Sequence, residues 1–195
     1  MLGFQRTNID REALISADAS PRLRQVLAQQ LKTASPGSIE RLSWMFWLLR
    51  MRQPKRLMID GQFTPPEILM TAAALSLGRT GRIHHAQGVH DSDTASVLQA
   101  AGLECLCAYA ARSAAGADRI DALLLGTMDH PLIDCLERWT PRLSAGALII
   151  GLGPELNRAQ TQSLCRELLE RNPGLESFIL APEAVPLLTL IWRGH

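Results

Sequence analysis

The stretch that decides the fold is RLMIDGQFTPPEIL, Arg56 to Leu69. Its first half, RLMID, reads as a short apolar strand. The strand runs into Gly61, and a helix starts a few residues later. A strand feeding a helix through a glycine turn is the building unit of open α/β sheets, and such turns are where those sheets receive ligands. Pro65 and Pro66 stand where a ligand loop often wants glycine. They have a structural use: Thr64 can cap the helix, Pro65 suits the first helical position, and Glu67 completes T-x-x-E, a capping box. Such a cap contributes about 1 kcal/mol. FTPPE is therefore a helix start whatever lies beside it, and the helix still presents the positive end of its dipole.

Downstream the same unit repeats. Strands are expected at 56–60, 82–86, 105–109, 121–126, 146–151, 177–181 and 187–193, with helices at 65–77, 93–101, 131–139 and 157–171. Alternation of this kind predicts a doubly wound α/β sheet, mostly parallel and seven-stranded, with helices on both faces. DALLLG and GALIIG are continuous apolar runs, as expected of strands covered on both sides. PEAVP is too short for a crossover helix, so the last strand should run antiparallel.

Upstream the pattern is helical. In SPRLRQVLAQQLKTASPG, Leu23, Val26, Leu27 and Leu31 recur at helical spacing, with Ser20 as cap and Pro21 as first position. SPGS, 35–38, breaks that helix, and a second one restarts with Ser38 as its cap. The centre of this second helix, WMFWLLRM, is apolar on almost every side, so more than one face should be covered. Either the domain covers both, or a second copy packs on Trp44 and Trp47 as a homo-oligomer. Residues 1–54 read as a helical cover and 55–195 as the α/β body, together one structural unit.

Composition sets bounds. The chain has 195 residues, 47% of them hydrophobic and 20% charged, enough to build a core. Net charge is +1, so no nucleic acid or anionic membrane partner is implied. No apolar run reaches spanning length, and the start of the chain does not read as a signal peptide. The four cysteines, Cys105, Cys107, Cys135 and Cys165, form no C-x-x-C pair and no zinc spacing. They read as reduced thiols, Cys105 and Cys107 on one strand face in the core, and the chain as cytoplasmic.

The order of elements, together with RQPKRLMIDGQFTPPEILMTAAALSLGRTGRIHHA, DALLLGTMDHPLIDCLERWTPRLSAGALIIG and PLLTLIWR, resembles the class I S-adenosylmethionine-dependent methyltransferases. The likeness is to small-molecule O-methyltransferases of the catechol and caffeoyl type, with a Rossmann-like fold, over roughly residues 38 to 193. It implies S-adenosylmethionine as cofactor, held by Asp60, Gly61, Gln62 and Phe63 after the first strand, Gln87 after the second, and Gly126, Thr127 and Met128 after the fourth. It implies a small-molecule or sugar-like acceptor. A non-catalytic assembly module on the same fold is the alternative.

Four positions depart from that family. Ile59 takes the place of the first-strand acid, with Asp60 one residue late and therefore on the other face. Pro65 replaces a loop glycine and offers no N–H. Ala86 or Gln87 replaces the acid that grips the ribose. A neutral hydrogen bond contributes about 1 kcal/mol against roughly 1.5–3 for a charged one. Gly126 and the stretch Gly151–Gly153 replace the metal-binding acids of cation-dependent members, so a metal-independent reaction is expected.

Three other groups carry polar chemistry. Asp129 and His130, in TMDHP, could supply a general base at the carboxyl edge of the sheet, or cap the helix that Pro131 begins. In HHAQGVHDSD, residues 84–93, His84 and His85 should straddle the two faces of a strand, and Asp91 or Ser92 should cap a helix, rather than bind metal. GLGPE, 151–155, lacks the full dinucleotide pattern.

Overall fold

The computed structural model describes residues 19–32, 34–78, 81–86, 92–109, 119–126, 131–152, 158–180 and 187–194. Gln87, His90, Asp91, Thr127, Met128, Asp129, His130 and the Gly153–Glu155 part of GLGPE lie outside them. Two helices, α1 (Pro21–Leu31) and α2 (Pro36–Arg52), precede the sheet. Then come β1 (Arg56–Asp60), α3 (Pro65–Gly78), β2 (Arg82–His85), α4 (Ser92–Ala101), β3 (Cys107–Tyr109) and β4 (Ile120–Leu125). The chain continues through α5 (Leu132–Trp139), β5 (Leu143–Gly151), α6 (Arg158–Arg171), β6 (Leu175–Leu180) and β7 (Leu187–Trp192).

The seven strands form one sheet in the order β3-β2-β1-β4-β5-β7-β6. The pairs among β1 to β5 are parallel. β7 inserts between β5 and β6, antiparallel to both. The chain leaves β1 toward one edge and returns to β4 on its other side. The switch point of the sheet therefore lies between β1 and β4.

Alternation along the strands makes two cores. Leu57, Ile59, Ile83, Leu124 and Ile150 face α1 to α4, together with Phe46, Leu49 and Leu69. Met58, Leu123, Leu125 and Ile149 face the other way, onto Leu136 and Trp139 of α5 and Leu168 of α6. Buried on both sides, the central strands read as unbroken apolar runs. The Arg22 side chain donates to the carbonyls of Gln99 and Ala100 at the end of α4, tying α1 to the body.

Three boundaries differ most from expectation. The second helix starts at Pro36, not after Ser38; Ser35 is its cap, and its hydroxyl accepts from the Ser38 N–H at 3.2 Å. Two serines compete here, and Pro36 at the first helical position selects the earlier one. The strand expected at 105–109 begins at Cys107, because Glu104–Leu106 forms a short helical turn that leaves Cys105 exposed rather than in the core. β5 starts earlier than 146, at Leu143, with its register against β4 shifted where Gly146 turns at φ 81. Of the two alternatives for α2, the domain does not cover both faces: Met45, Phe46 and Leu49 are buried, while Trp47 and Met51 are 44% and 74% exposed.

Candidate functional site

The turns after β1, β2, β4 and β5 are level along one rim. Beyond the strands, the Ala86 N–H donates to the Ile59 carbonyl, Gly126 to Asp60 at 2.9 Å, and Leu152 to Leu125 at 2.7 Å. Gly61 and Gly126 therefore sit side by side at the switch point. Gly61 holds φ 103, a left-handed value that a side chain would strain. Gln62 is exposed and Phe63 half-buried, its ring packed against the α1–α4 core. This short segment folds across the end of β4. A Cβ at Gly126 would lie 2.3 Å from the Gln62 carbonyl oxygen and 2.6 Å from the Phe63 ring. The missing side chain at 126 is what lets the loop lie there.

Asp60 ends β1 with its carboxylate on the α5 side of the sheet, 2% exposed. One oxygen accepts from Arg138 Nη2 at 2.6 Å and from the indole N–H of Trp139 at 2.7 Å. Its side chain is thus committed to α5. Asp60 shapes the rim through its backbone carbonyl. Ile59 is buried among the side chains of α1 to α4.

The helix start is built as the sequence suggests, with one variation. Glu67 reaches back to accept from the Thr64 N–H at 2.8 Å. The Thr64 hydroxyl also donates to Glu67, at 2.9 Å, so it serves the carboxylate rather than a helix N–H. A third donor comes from α2: Arg41 Nη2 meets the other Glu67 oxygen at 2.9 Å. The loop following β1 is thereby pinned to the N-terminal helices.

His85 is buried on the α1–α4 side, and His84, half-buried, on the other. Burial, then the neighbouring guanidinium groups of Arg56 and Arg82, push the His84 pKa below its ordinary value. Burial raises the thiol of Cys135, with the Asp60 carboxylate adding to it and Arg138 opposing. Burial alone raises that of Cys165. Among the described residues no group of three His, Cys, Asp or Glu side chains is placed to hold a metal ion. A groove of about 460 Å³ lies on α6 and β6, lined by Gln162, Cys165, Arg166, Leu169, Glu170 and Ser177, away from the switch point.

Three partners were not legible in advance: Arg138 and Trp139 for Asp60, and Arg41 for Glu67. Each lies 26 or more residues away along the chain. Nothing local in the sequence signals either pairing.

No protein-family model matches the sequence, and no curated protein does. Solved structures do match in fold. A methyltransferase from Geobacter sulfurreducens aligns with TM-score 0.62 at 18% identity, over 91% of this chain and 93% of that one. An O-methyltransferase from Bacillus cereus, in complex with SAH, aligns with TM-score 0.62 at 15% identity, over 95% and 97%. An O-methyltransferase from Streptomyces achromogenes involved in tomaymycin synthesis, in complex with SAM, aligns with TM-score 0.55 at 19% identity, over 90% and 91%. The chain has the class I methyltransferase fold, similar to that of O-methyltransferases. Among the described residues no helix is long and apolar enough to cross a membrane.

Proposed function

We propose that this protein is an S-adenosylmethionine-dependent methyltransferase-like protein acting, without metal, on a small-molecule or sugar-like acceptor. The observation that carries the reading is the switch-point rim, where Gly61 and Gly126 stand level and bare of side chains on a sheet of methyltransferase order. Similar structures with this fold are in complex with SAM and with SAH.

The residues fit an adenosyl group in part. Gly61 admits close backbone approach, while the space over Gly126 is taken by the Gln62 carbonyl and the Phe63 ring. Against that, the Asp60 carboxylate is engaged by Arg138 and Trp139, and the Thr64 N–H by Glu67. We assign cofactor contacts to Gly61, Gln62, Phe63, Gln87, Gly126, Thr127 and Met128, with Asp60 acting through its main chain. Bound S-adenosylmethionine supplies an electrophilic methyl group on a sulfonium. The protein's part is to hold an acceptor in line with it. For a hydroxyl acceptor, His130 or Asp129 takes the proton. Gly126 and Gly151 stand where cation-dependent members carry acids, so the donor set does not suit a divalent ion.

Calorimetric titration with S-adenosylmethionine and its demethylated product tests this. Binding of either below millimolar concentration is expected, and binding of neither defeats the reading. A second reading, a non-catalytic assembly module on the same fold, is favoured by the engaged Asp60 and by the neutral residues at the ribose position. It predicts a negative titration from a stable oligomer. In either case residues 1–54 act as a cover on 55–195, the chain self-associates through its N-terminal helices at Trp44 and Trp47, and its thiols suit the reducing cytoplasm.

A further inference from the structure

We infer that the outer face of α2 is a self-complementary surface for a second copy of this chain, packed antiparallel about a twofold axis. This rests on the proposal that the chain self-associates, and it sets the register. An α-helix turns 100° per residue, so Glu40, Trp44, Trp47 and Met51 lie within about 60° of one another, in a row about 16 Å long. The row stands opposite Leu42, Met45 and Leu49, which are buried in the core. Trp47 and Met51 are the exposed large hydrophobic side chains among the described residues, and Trp44 beside them is only partly covered.

The order of the row points to the occupant. Glu40 is as far from its midpoint as Met51, and Trp44 as far as Trp47. Turning the helix end for end about that midpoint lays Trp44 on Trp47 of the other copy and Glu40 on Met51. Arg50 and Arg52, in the last turn of α2, flank Met51. Glu40 of one copy then meets guanidinium groups of the other, at both ends of the row. A membrane surface or an unrelated protein would not require this mirrored order of charge and aromatic side chains. Twofold packing does, because each residue must serve on both sides of the axis. A single helix pair buries less than the standard interface, so the dimer is concentration-dependent.

The test uses the full-length protein. Sedimentation from 1 to 100 μM, concentrations chosen to bracket roughly micromolar affinity, should show a monomer–dimer equilibrium. Trp47→Glu should weaken it about 100-fold or more. Glu40→Arg should weaken it too, and adding Arg50→Glu and Arg52→Glu should restore it. For register, Glu40→Cys chains and Met51→Cys chains, both carrying Cys105→Ser, are treated with a short bis-maleimide. The mixture should cross-link, and neither variant alone should. A monomer throughout overturns both this inference and self-association. A dimer that ignores the charge swaps, or cross-links equally in the unmixed variants, overturns the register and leaves self-association standing.

Discussion

The indole N–H of Trp139 donates to the carboxylate of Asp60 at 2.7 Å, across 79 residues of chain. That bond joins the end of β1 to the end of α5, and Arg138 closes the clasp on the same oxygen. It places the only acid at the β1 turn in a structural role. The loop above it is left to be shaped by backbone.

The clasp is asymmetric. Asp60 is buried, while the Arg138 side chain is 56% exposed. Removing Arg138 leaves a buried carboxylate with one neutral donor, whereas removing the charge of Asp60 leaves an arginine free to enter water. Arg138→Ala should therefore destabilise by about 1–2 kcal/mol, below the full value of a buried pair because of solvent screening. Asp60→Asn in the Arg138→Ala background should recover part of the loss, since the amide oxygen still accepts from Trp139. Urea unfolding of the two single variants and the double variant reads the coupling. Strict additivity would argue against it.

Gly126 is held bare by the loop after β1. In Gly126→Ala the new methyl meets the Gln62 carbonyl at 2.3 Å and the Phe63 ring at 2.6 Å, so the loop must move. A loss of about 1–3 kcal/mol is expected, as for overpacking elsewhere. Adenosyl affinity should fall with it, because the same loop borders the proposed pocket. Calorimetry alongside thermal unfolding separates the two effects. An unchanged melting temperature would refute the close contact.

Much of the sheet was readable because apolar runs and glycine turns are local signals. The start of β1 at Arg56 and that of β7 at Leu187 follow from strand patterning alone, and the antiparallel ending follows from the short PEAVP link. Position 105 misled because CLCAY, 105–109, is an apolar run with the pattern of a strand. The chain makes a helical turn there, and turns of three residues carry little periodicity. The candidate site was less legible. Alternation put Asp60 on the face opposite Ile59, but its partners lie on α5. Likewise T-x-x-E announced a cap, and nothing near it announced Arg41.

The thiols should differ sharply in reactivity. Cys105 is exposed on its helical turn. Cys135 and Cys165 are buried, with their pKa values raised, chiefly by burial. The thiolate is the nucleophile, so both are held in the unreactive form. Time-resolved maleimide labelling with peptide mass spectrometry should modify Cys105 well before either. Equal rates would mean that the layer of α5 and α6 opens as fast as the reagent attacks.

His84 gives the stability a pH dependence whose sign can be worked out. On β2 it shares a face with Arg82 and, across the register, with Arg56. Burial first, then these two positive charges, lower its pKa from the ordinary 6.5. In the unfolded chain the ring takes its proton near that ordinary value, whereas in the folded protein it waits for a lower pH. Between the two values the unfolded state binds more protons, so stability falls as pH drops below about 6.5. Above that value the ring is neutral in both states and contributes no slope. His84→Gln removes the titration while keeping a polar side chain. Its urea midpoint should decline less than that of the parent between pH 7.5 and 5.5, a range chosen to straddle the ordinary histidine value. Parallel declines would show that Arg56 and Arg82 do not press on the ring, and that this side of β2 is open to water.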